Sequence, residues 1–355
     1  MGAFRMGELF CGPGGIACGA HRAHSQDGLL SIEHAWASDF DPDTCHTYAN
    51  NICGGDSSTV YCEDVRTLDL TKLGPIDAFA YGFPCNSFSN VGEHQGLNNA
   101  KFGQLYTYGV EILRMYQPMW FLAENVTGLK SAGDGKHFEV ILSDMEAAGY
   151  TLVPHMYKFE LYGVPQKRHR VIIVGFRNDL VSHGFQFRVP SPAPYAACDV
   201  TAGTALANIP KNAANNEIKP LQANVKRRLS FIQPGQNIWQ AEPNMPPELM
   251  IKTRTRISQI YRKLDPAKPS YTVTAAGGGG TFMYHWSNEQ RELTNRERAR
   301  LQTFPDDFVF YGKYASVRKQ IGMAVPPAGA EIIFRAVLDT LSGIPYPWVE
   351  ASMDE

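Results

Sequence analysis

Long apolar runs are missing from this chain of 355 residues. None reaches the ~20 apolar residues that a membrane-crossing helix needs, so the sequence predicts no spanning segment. The first residues, Met1-Gly2-Ala3-Phe4-Arg5, meet the polar Glu8 before the apolar core of a secretion signal has formed. Seven cysteines are scattered without a CxxC pair or Cys/His ligand spacing, which argues against a disulfide framework and a zinc site, so no metal is expected. A reducing cytoplasm fits that usage. Charge is also sparse: 19% of residues are charged and the net charge is −2. Such a chain is no polycation, and any nucleic-acid contact needs a local basic face. No internal repeat or low-complexity tract occurs.

What is present is enough for a large core, at 44% hydrophobic residues, and a length that predicts two domains. A local basic face exists. From Lys211 to Lys263 ten basic residues stand against three acids, Glu217, Glu242 and Glu248. A run of this kind is either a solvated face or a binding surface.

The apolar run Ile76-Asp77-Ala78-Phe79-Ala80-Tyr81 reads as a buried strand that ends at Gly82-Phe83-Pro84-Cys85 and a polar, glycine-punctuated loop. A cysteine on that elbow sits above the carboxyl end of a sheet, where open α/β proteins bind ligands. Cys85 is either a nucleophilic thiolate or a buried structural thiol. Earlier, residues 4–10 form an apolar strand that stops at Phe10-Cys11-Gly12-Pro13-Gly14-Gly15, a glycine turn opening a helix. Gly12, Gly14 and Ala17 fit the dinucleotide pattern G-x-G-x-x-A. Asp39, closing the next strand, is placed to take ribose hydroxyls, with Phe40 against an adenine face; alternatively Asp39 or Asp41 caps the helix at Pro42. Asp64 closes a third strand, beside Val65, and either accepts from an adenine amino group or is a loop residue.

Helical spacing covers Leu105 to Tyr116 and ends at Gln117-Pro118. The buried strand Met119–Ala123 leads to Glu124-Asn125-Val126. Desolvation at that strand end would raise the pKa of Glu124 and let it donate a proton near neutrality, unless it is an exposed loop acid. An amphipathic helix follows from His137 to Ala148. In Gln166-Lys167-Arg168-His169-Arg170 the alternation on extended backbone lets both guanidinium groups point one way. Composition changes near residue 180, and 188–224 is rich in Pro, Ala and Asn. Gly277–Gly280 marks either a flexible joint or a close backbone approach. Thr294 and Glu297 have capping-box spacing at the start of a helix ending near Leu301. A last helix is expected from Ala328 to Leu341.

Together these pieces resemble the C5-cytosine DNA methyltransferase family over nearly the whole chain. The ordered set is Phe10-x-Gly12-x-Gly14-Gly15, Gly82-Phe83-Pro84-Cys85, Glu124-Asn125-Val126 and Gln166-x-Arg168-x-Arg170. Then come Arg291-Glu292-Leu293-Thr294-x-Arg296-Glu297 and Gln320-x-Gly322-x-Ala324-Val325-Pro326. The resemblance implies an α/β fold: a doubly wound, mostly parallel sheet of the S-adenosylmethionine-dependent methyltransferase type with a smaller inserted target-recognition domain. The expected division is 1–179 for catalysis and cofactor, 180–285 for target recognition, and 286–355 for a hinge and return to the first domain.

By the same resemblance the cofactor is S-adenosylmethionine, leaving as S-adenosylhomocysteine. Phe10, Gly12, Gly14 and Gly15 would line it, Asp39 hold the ribose, Phe40 and Asp64 with Val65 meet the adenine, and Leu105, Ala324 and Val325 complete the pocket. Cys85 would be the nucleophile, Glu124 the proton donor to cytosine N3, Arg170 the clamp on O2, and Arg168 a positioning group. DNA contacts fall to Asn86, Ser87, Ser89, Asn125 and Gln166, and, in the basic segment, to Lys226, Arg227, Arg228, Arg254 and Arg256. The partner is duplex DNA and the protein a monomer without a membrane, in the cytoplasm of a bacterial or phage-encoded system, with a restriction endonuclease acting separately. The family usually carries Gln where Asn86 stands and Asn where Met323 stands. Three other readings remain: an NAD-type oxidoreductase built on the glycine turn, a catalytically silent nucleic-acid-binding relative, and methylation of tRNA cytosine.

Overall fold

The computed structural model describes residues 2–83, 104–130, 135–251, 257–275, 277–278 and 280–354. The chain forms two compact units. The larger holds Met1–Tyr162, His169–Ala196 and Val325–Glu355, and the smaller holds Gly163–Arg168 and Ala197–Ala324.

In the larger unit strands and helices alternate: β1 (Gly2–Leu9), α1 (Gly15–Arg22), β2 (Leu30–Asp39), α2 (Pro42–Ile52), β3 (Val60–Cys62), β4 (Ala78–Tyr81), α3 (Tyr106–Tyr116), β5 (Trp120–Val126), α4 (Lys136–Ala147) and β6 (Tyr150–Lys158). The two-residue β7 (Gln166–Lys167) lies in the smaller unit, after which β8 (His169–Arg177), α5 (Asn178–Ser182) and β9 (Val189–Pro190) return to the larger one. Seven strands make one sheet in the order β3-β2-β1-β4-β5-β8-β6. β8 runs antiparallel to both its neighbours, and the other neighbouring pairs are parallel.

Parallel strands covered on both faces read as unbroken apolar runs, and these do. All four residues of β4 are buried, as are Trp120 to Ala123 of β5 and Val171 to Val174 of β8. Phe79 and Tyr81 stack at 5.0 Å between ring centroids. Helix α3 lies close on this layer, because a Cβ at Gly109 would come within 2.2 Å of the Tyr81 ring. It stops where Gln117 turns left-handed at φ 47° ahead of Pro118.

The smaller unit is made of short pieces: α6 (Ala202–Ala205), α7 (Ala223–Ser230), α8 (Ile238–Ala241), β10 (Ser270–Tyr271), α9 (Asn295–Leu301) and α10 (Tyr314–Met323). Leu229, Ile232, Ile238, Leu249 and Tyr284 build part of its core. β10 pairs in parallel with β7. The expected capping box is in place on α9, with Thr294 accepting from the Glu297 N–H and the Glu297 side chain from the Thr294 N–H. Of the two readings of Gly277–Gly280, close approach holds at Gly280, with φ 91° and a Cβ position only 2.6 Å from the Tyr261 ring. Helix α11 (Pro327–Ser342) and β11 (Trp348–Val349), antiparallel to β9, complete the larger unit.

One expectation needs correcting. The stretch Tyr314–Ser342 contains a window apolar enough by composition to cross a membrane. Ala324-Val325-Pro326 breaks it into α10 and α11, and 78% of that window is buried in the protein. Its apolar character is that of a core helix.

Candidate active site

The carboxyl ends of β1, β2, β4 and β5 carry the candidate residues of the larger unit. After β1 the chain turns left-handed at Phe10 (φ 54°), Gly12 (φ 56°) and Gly14 (φ 97°). A bulky residue such as Phe10 rarely takes that conformation, and such strain is held where surrounding structure fixes it. Three contacts fix it here. Cys11 N–H donates to the Ser38 carbonyl at 3.0 Å, Gly12 N–H donates to Asp39 Oδ2 at 3.1 Å, and Gly14 N–H reaches the Cys11 carbonyl at 3.3 Å. Gly14 and Gly15 then open α1.

The two acids after β2 divide the work. Asp41 caps α2 by accepting from the Thr44 N–H at 3.3 Å, ahead of Pro42. Asp39 accepts from Gly12 through one oxygen and from the Asp41 N–H at 3.0 Å through the other. Beside it Phe40 is 62% exposed, a large flat apolar side chain at the edge of the glycine turn. Among the described residues, no atom beyond its chain neighbours lies within 4 Å of a Cβ built on Gly12. A glycine turn, a carboxylate and a presented aromatic ring suit a nucleoside ligand. Phe10 packs against the large core cluster to which Val65 and Leu105 also belong. Asp64 is gripped by Arg66: Oδ1 takes the Arg66 Nε at 2.9 Å and its backbone N–H at 3.0 Å, and Oδ2 meets the other end of the guanidinium. That grip holds its carboxyl down to about 2.

Glu124 and Arg170 face one another across the β5–β8 pair. Arg170 Nε lies 2.9 Å from Glu124 Oε1, and the two side chains are 14% and 12% exposed. Burial pulls the Arg170 pKa below its usual value, and the Glu124 carboxyl opposes that pull. Arg170 also donates to the His169 carbonyl at 2.7 Å. The buried Glu124 carboxylate thus has an opposite charge beside it. A Cβ on Gly82 would lie 3.3 Å from Glu124 Oε2, so the backbone leading to Cys85 passes directly over this carboxyl. Asn125 secures the same junction, with Nδ2 donating to the Phe83 carbonyl at 3.2 Å. Cys85, Asn86, Ser87 and Ser89 lie outside the described residues, as do Arg254 and Arg256.

Several of the expected DNA contacts have hydrogen-bond partners within the protein. Asn125 is 2% exposed and its amide holds Phe83. Gln166 is fully buried; it donates to the Leu301 carbonyl and to Gln302 Oε1, and accepts from the Val273 N–H. Arg228 donates to the Leu249 carbonyl at 2.7 Å and to the Tyr261 hydroxyl at 3.1 Å, so it braces α7. Lys226 and Arg227 are exposed on α7, Arg227 near Glu248 at 3.3 Å. Arg168, 1% exposed and in the smaller unit, donates to the carbonyls of Val273 and Gly322 at 3.2 Å and of Met323 at 3.5 Å. Ala324 and Val325 are buried at the end of α10, and Met323 is 42% exposed.

One titratable group near the glycine turn was overlooked in sequence. Glu8, 1% exposed in β1, accepts from the Tyr48 hydroxyl at 3.1 Å. Burial pushes its carboxyl up to about 8, with a smaller lowering from Tyr48 and a raising from Asp39. The signal was a lone acid inside an apolar strand.

Residues 4–339 match the family model for C-5 cytosine-specific DNA methylase. The chain is 53% identical over 363 residues to the Type II methyltransferase M.BbvI of Brevibacillus brevis, spanning 99% of this chain and 95% of that protein. It is 39% identical over 345 residues to the Type II methyltransferase M.NgoFVII of Neisseria gonorrhoeae, spanning 94% and 86%. Among solved structures, the Entamoeba histolytica methyltransferase EhMeth shares the fold with a TM-score of 0.67 at 13% identity, over 96% of this chain and 99% of that one.

Proposed function

Since the chain belongs to the C-5 cytosine-specific DNA methylase family, we propose that it methylates C5 of a cytosine flipped out of duplex DNA, through a transient bond from the Cys85 sulfur to C6. The observation that carries this reading is the buried Glu124–Arg170 pair at 2.9 Å, with the backbone entering the Cys85 loop against the same carboxyl. An acid and a guanidinium side by side match the N3 and O2 edge of cytosine, and both are fixed by the strands that carry them.

When bound, S-adenosylmethionine supplies an electrophilic methyl group on a sulfonium. Gly12, Gly14 and Gly15 would let the backbone approach it, Asp39 would hold the ribose hydroxyls, and Phe40 would meet the adenine, with Phe10, Val65 and Leu105 lining the pocket. Asp64, committed to Arg66, would offer the adenine amino group only its remaining lone pairs.

C5 of cytosine is too weak a nucleophile to take a methyl group unaided. The Cys85 thiolate adds to C6, and a proton carried by Glu124 goes to N3 as electron density moves there. Arg170 holds O2. C5 has then become enamine-like and accepts the methyl group. Loss of the C5 proton, with return of the electron pair to the C5–C6 bond, expels the thiolate. A stacked base is out of reach of all these groups, which is why the cytosine must leave the duplex.

We assign catalysis and cofactor binding to residues 1–179, target recognition to 180–285, and a hinge with the return to the first domain to 286–355; within 180–285, Lys226, Arg227, Arg228, Arg254 and Arg256 are the candidate phosphate and base contacts. The two most similar relatives described above are named Type II methyltransferases. By analogy this enzyme protects bacterial or phage-encoded DNA beside a separate restriction endonuclease. Bisulfite sequencing of DNA from cells expressing the protein tests the reading. The expected result is 5-methylcytosine at one short sequence, and unmodified DNA from cells making folded protein would contradict it.

A further inference from the structure

The smaller unit contains a cleft of about 350 Å³ that plays no part in the chemistry above. Lys167, Arg262, Lys263 and Lys268 line it, with Asp265 and Tyr271 among the other walls. Asp265 is already paired with Lys268 at 3.0 Å. Arg262 stands over the Tyr271 ring, 4.9 Å from its centroid. Lys263 differs from the other three cations, being only 3% exposed. No carboxylate or hydrogen-bond acceptor is recorded for its ammonium among the described residues, and burial holds its pKa below the usual lysine value.

A buried ammonium without a partner is costly, and proteins keep one where an anion compensates it. The residues lining the cleft include four cations and one carboxylate, and that carboxylate is taken by Lys268. Lysines bind phosphate as point charges and do not need the planar match that a carboxylate makes with arginine. We propose that this cleft seats a phosphate group, with Lys263 as its neutralising ammonium and Lys167 and Arg262 at its mouth. Two sources supply that chemistry: a phosphodiester of the DNA backbone and free phosphate. The first rests on the reading of the chain as a DNA-acting enzyme, and the second does not.

The test uses the full-length protein and the K263M variant, which keeps an unbranched apolar side chain in the buried site. Wild type is first acetylated with acetic anhydride in the presence of duplex DNA or of inorganic phosphate, and modification of Lys263 is read by peptide mass spectrometry. The slope of log Kd against log salt is then measured for cognate and unrelated duplexes. If a DNA phosphate is the ligand, duplex protects Lys263, and K263M reduces the slope by about 0.9, the value expected for one lost phosphate contact. The loss is the same for both duplexes, and S-adenosylmethionine affinity is unchanged. If free phosphate is the ligand, inorganic phosphate alone protects Lys263 and the slope does not move. Should neither protect Lys263 and the slope stay fixed, the proposal is wrong. Should K263M not fold, K167M with the same protection assay gives the same decision. A wild-type protein that binds no duplex but is protected by phosphate contradicts the methyltransferase reading and leaves the cleft assignment standing.

Discussion

Glu8 offers a prediction whose size follows from its surroundings. Its carboxyl is 1% exposed, and burial raises its pKa from the ordinary 4.5 to about 8. A folded-state pKa above the unfolded one means that the folded protein holds the proton more tightly. The stability this contributes is complete below pH 4.5 and is lost as pH rises toward 8. Each pH unit in that window is worth about 1.4 kcal/mol, so between about pH 5.5 and 7.5 the loss is about 3 kcal/mol. Glu8→Gln keeps the shape and an acceptor for the Tyr48 hydroxyl but cannot ionise. Relative to wild type it should therefore gain about 3 kcal/mol across that interval, or roughly 3–5 °C in Tm for a chain of this size. Thermal melts of both proteins at the two pH values read this directly. Parallel melting profiles would refute the reasoning and show that Glu8 is charged and solvated in the folded state.

Three further outcomes follow from the site. Glu124→Gln should lower single-turnover methyl transfer by about 10²–10⁴-fold while S-adenosylmethionine binding persists, measured by rapid quench and calorimetry. Phe40→Ala removes an exposed ring and should leave Tm unchanged while weakening S-adenosylmethionine by about 1 kcal/mol, roughly fivefold, in a titration. Gln166→Ala removes the partners of the Val273 N–H and of Gln302 Oε1, and should cost about 1–3 kcal/mol in thermal melts while leaving the salt slope of DNA binding untouched.

Local signals in the sequence were read correctly where chemistry permits one outcome. A strand buried on both faces must be apolar throughout, so β4, β5 and β8 could be read directly. Thr294 and Glu297 satisfy each other's backbone N–H groups without help from distant residues, so their box could be read as well. Asn125, Gln166 and Arg228 have partners within the protein that the sequence did not reveal, for a shared reason. An amide or guanidinium makes the same hydrogen bonds to a base edge as to a backbone carbonyl, and only the packing decides which one it meets. Phe83, Val273 and Leu249 supplied those partners from far along the chain. Glu8 and Lys263 were overlooked because a single charge in an apolar or basic run has no periodicity, and its burial is settled by tertiary structure. Residues 180–285 offered little because their short helices and turns leave no long repeat to detect.

The covalent step is tested most directly with a duplex carrying 5-fluorocytosine at the target position, incubated with enzyme and S-adenosylmethionine. Fluorine at C5 cannot leave as a proton does, so the elimination that frees the thiolate is blocked. The account predicts a denaturant-resistant protein–DNA adduct whose linked peptide contains Cys85, and no adduct with Cys85→Ala. An adduct mapped to another residue, or undiminished methyl transfer by Cys85→Ala on ordinary cytosine, would contradict it.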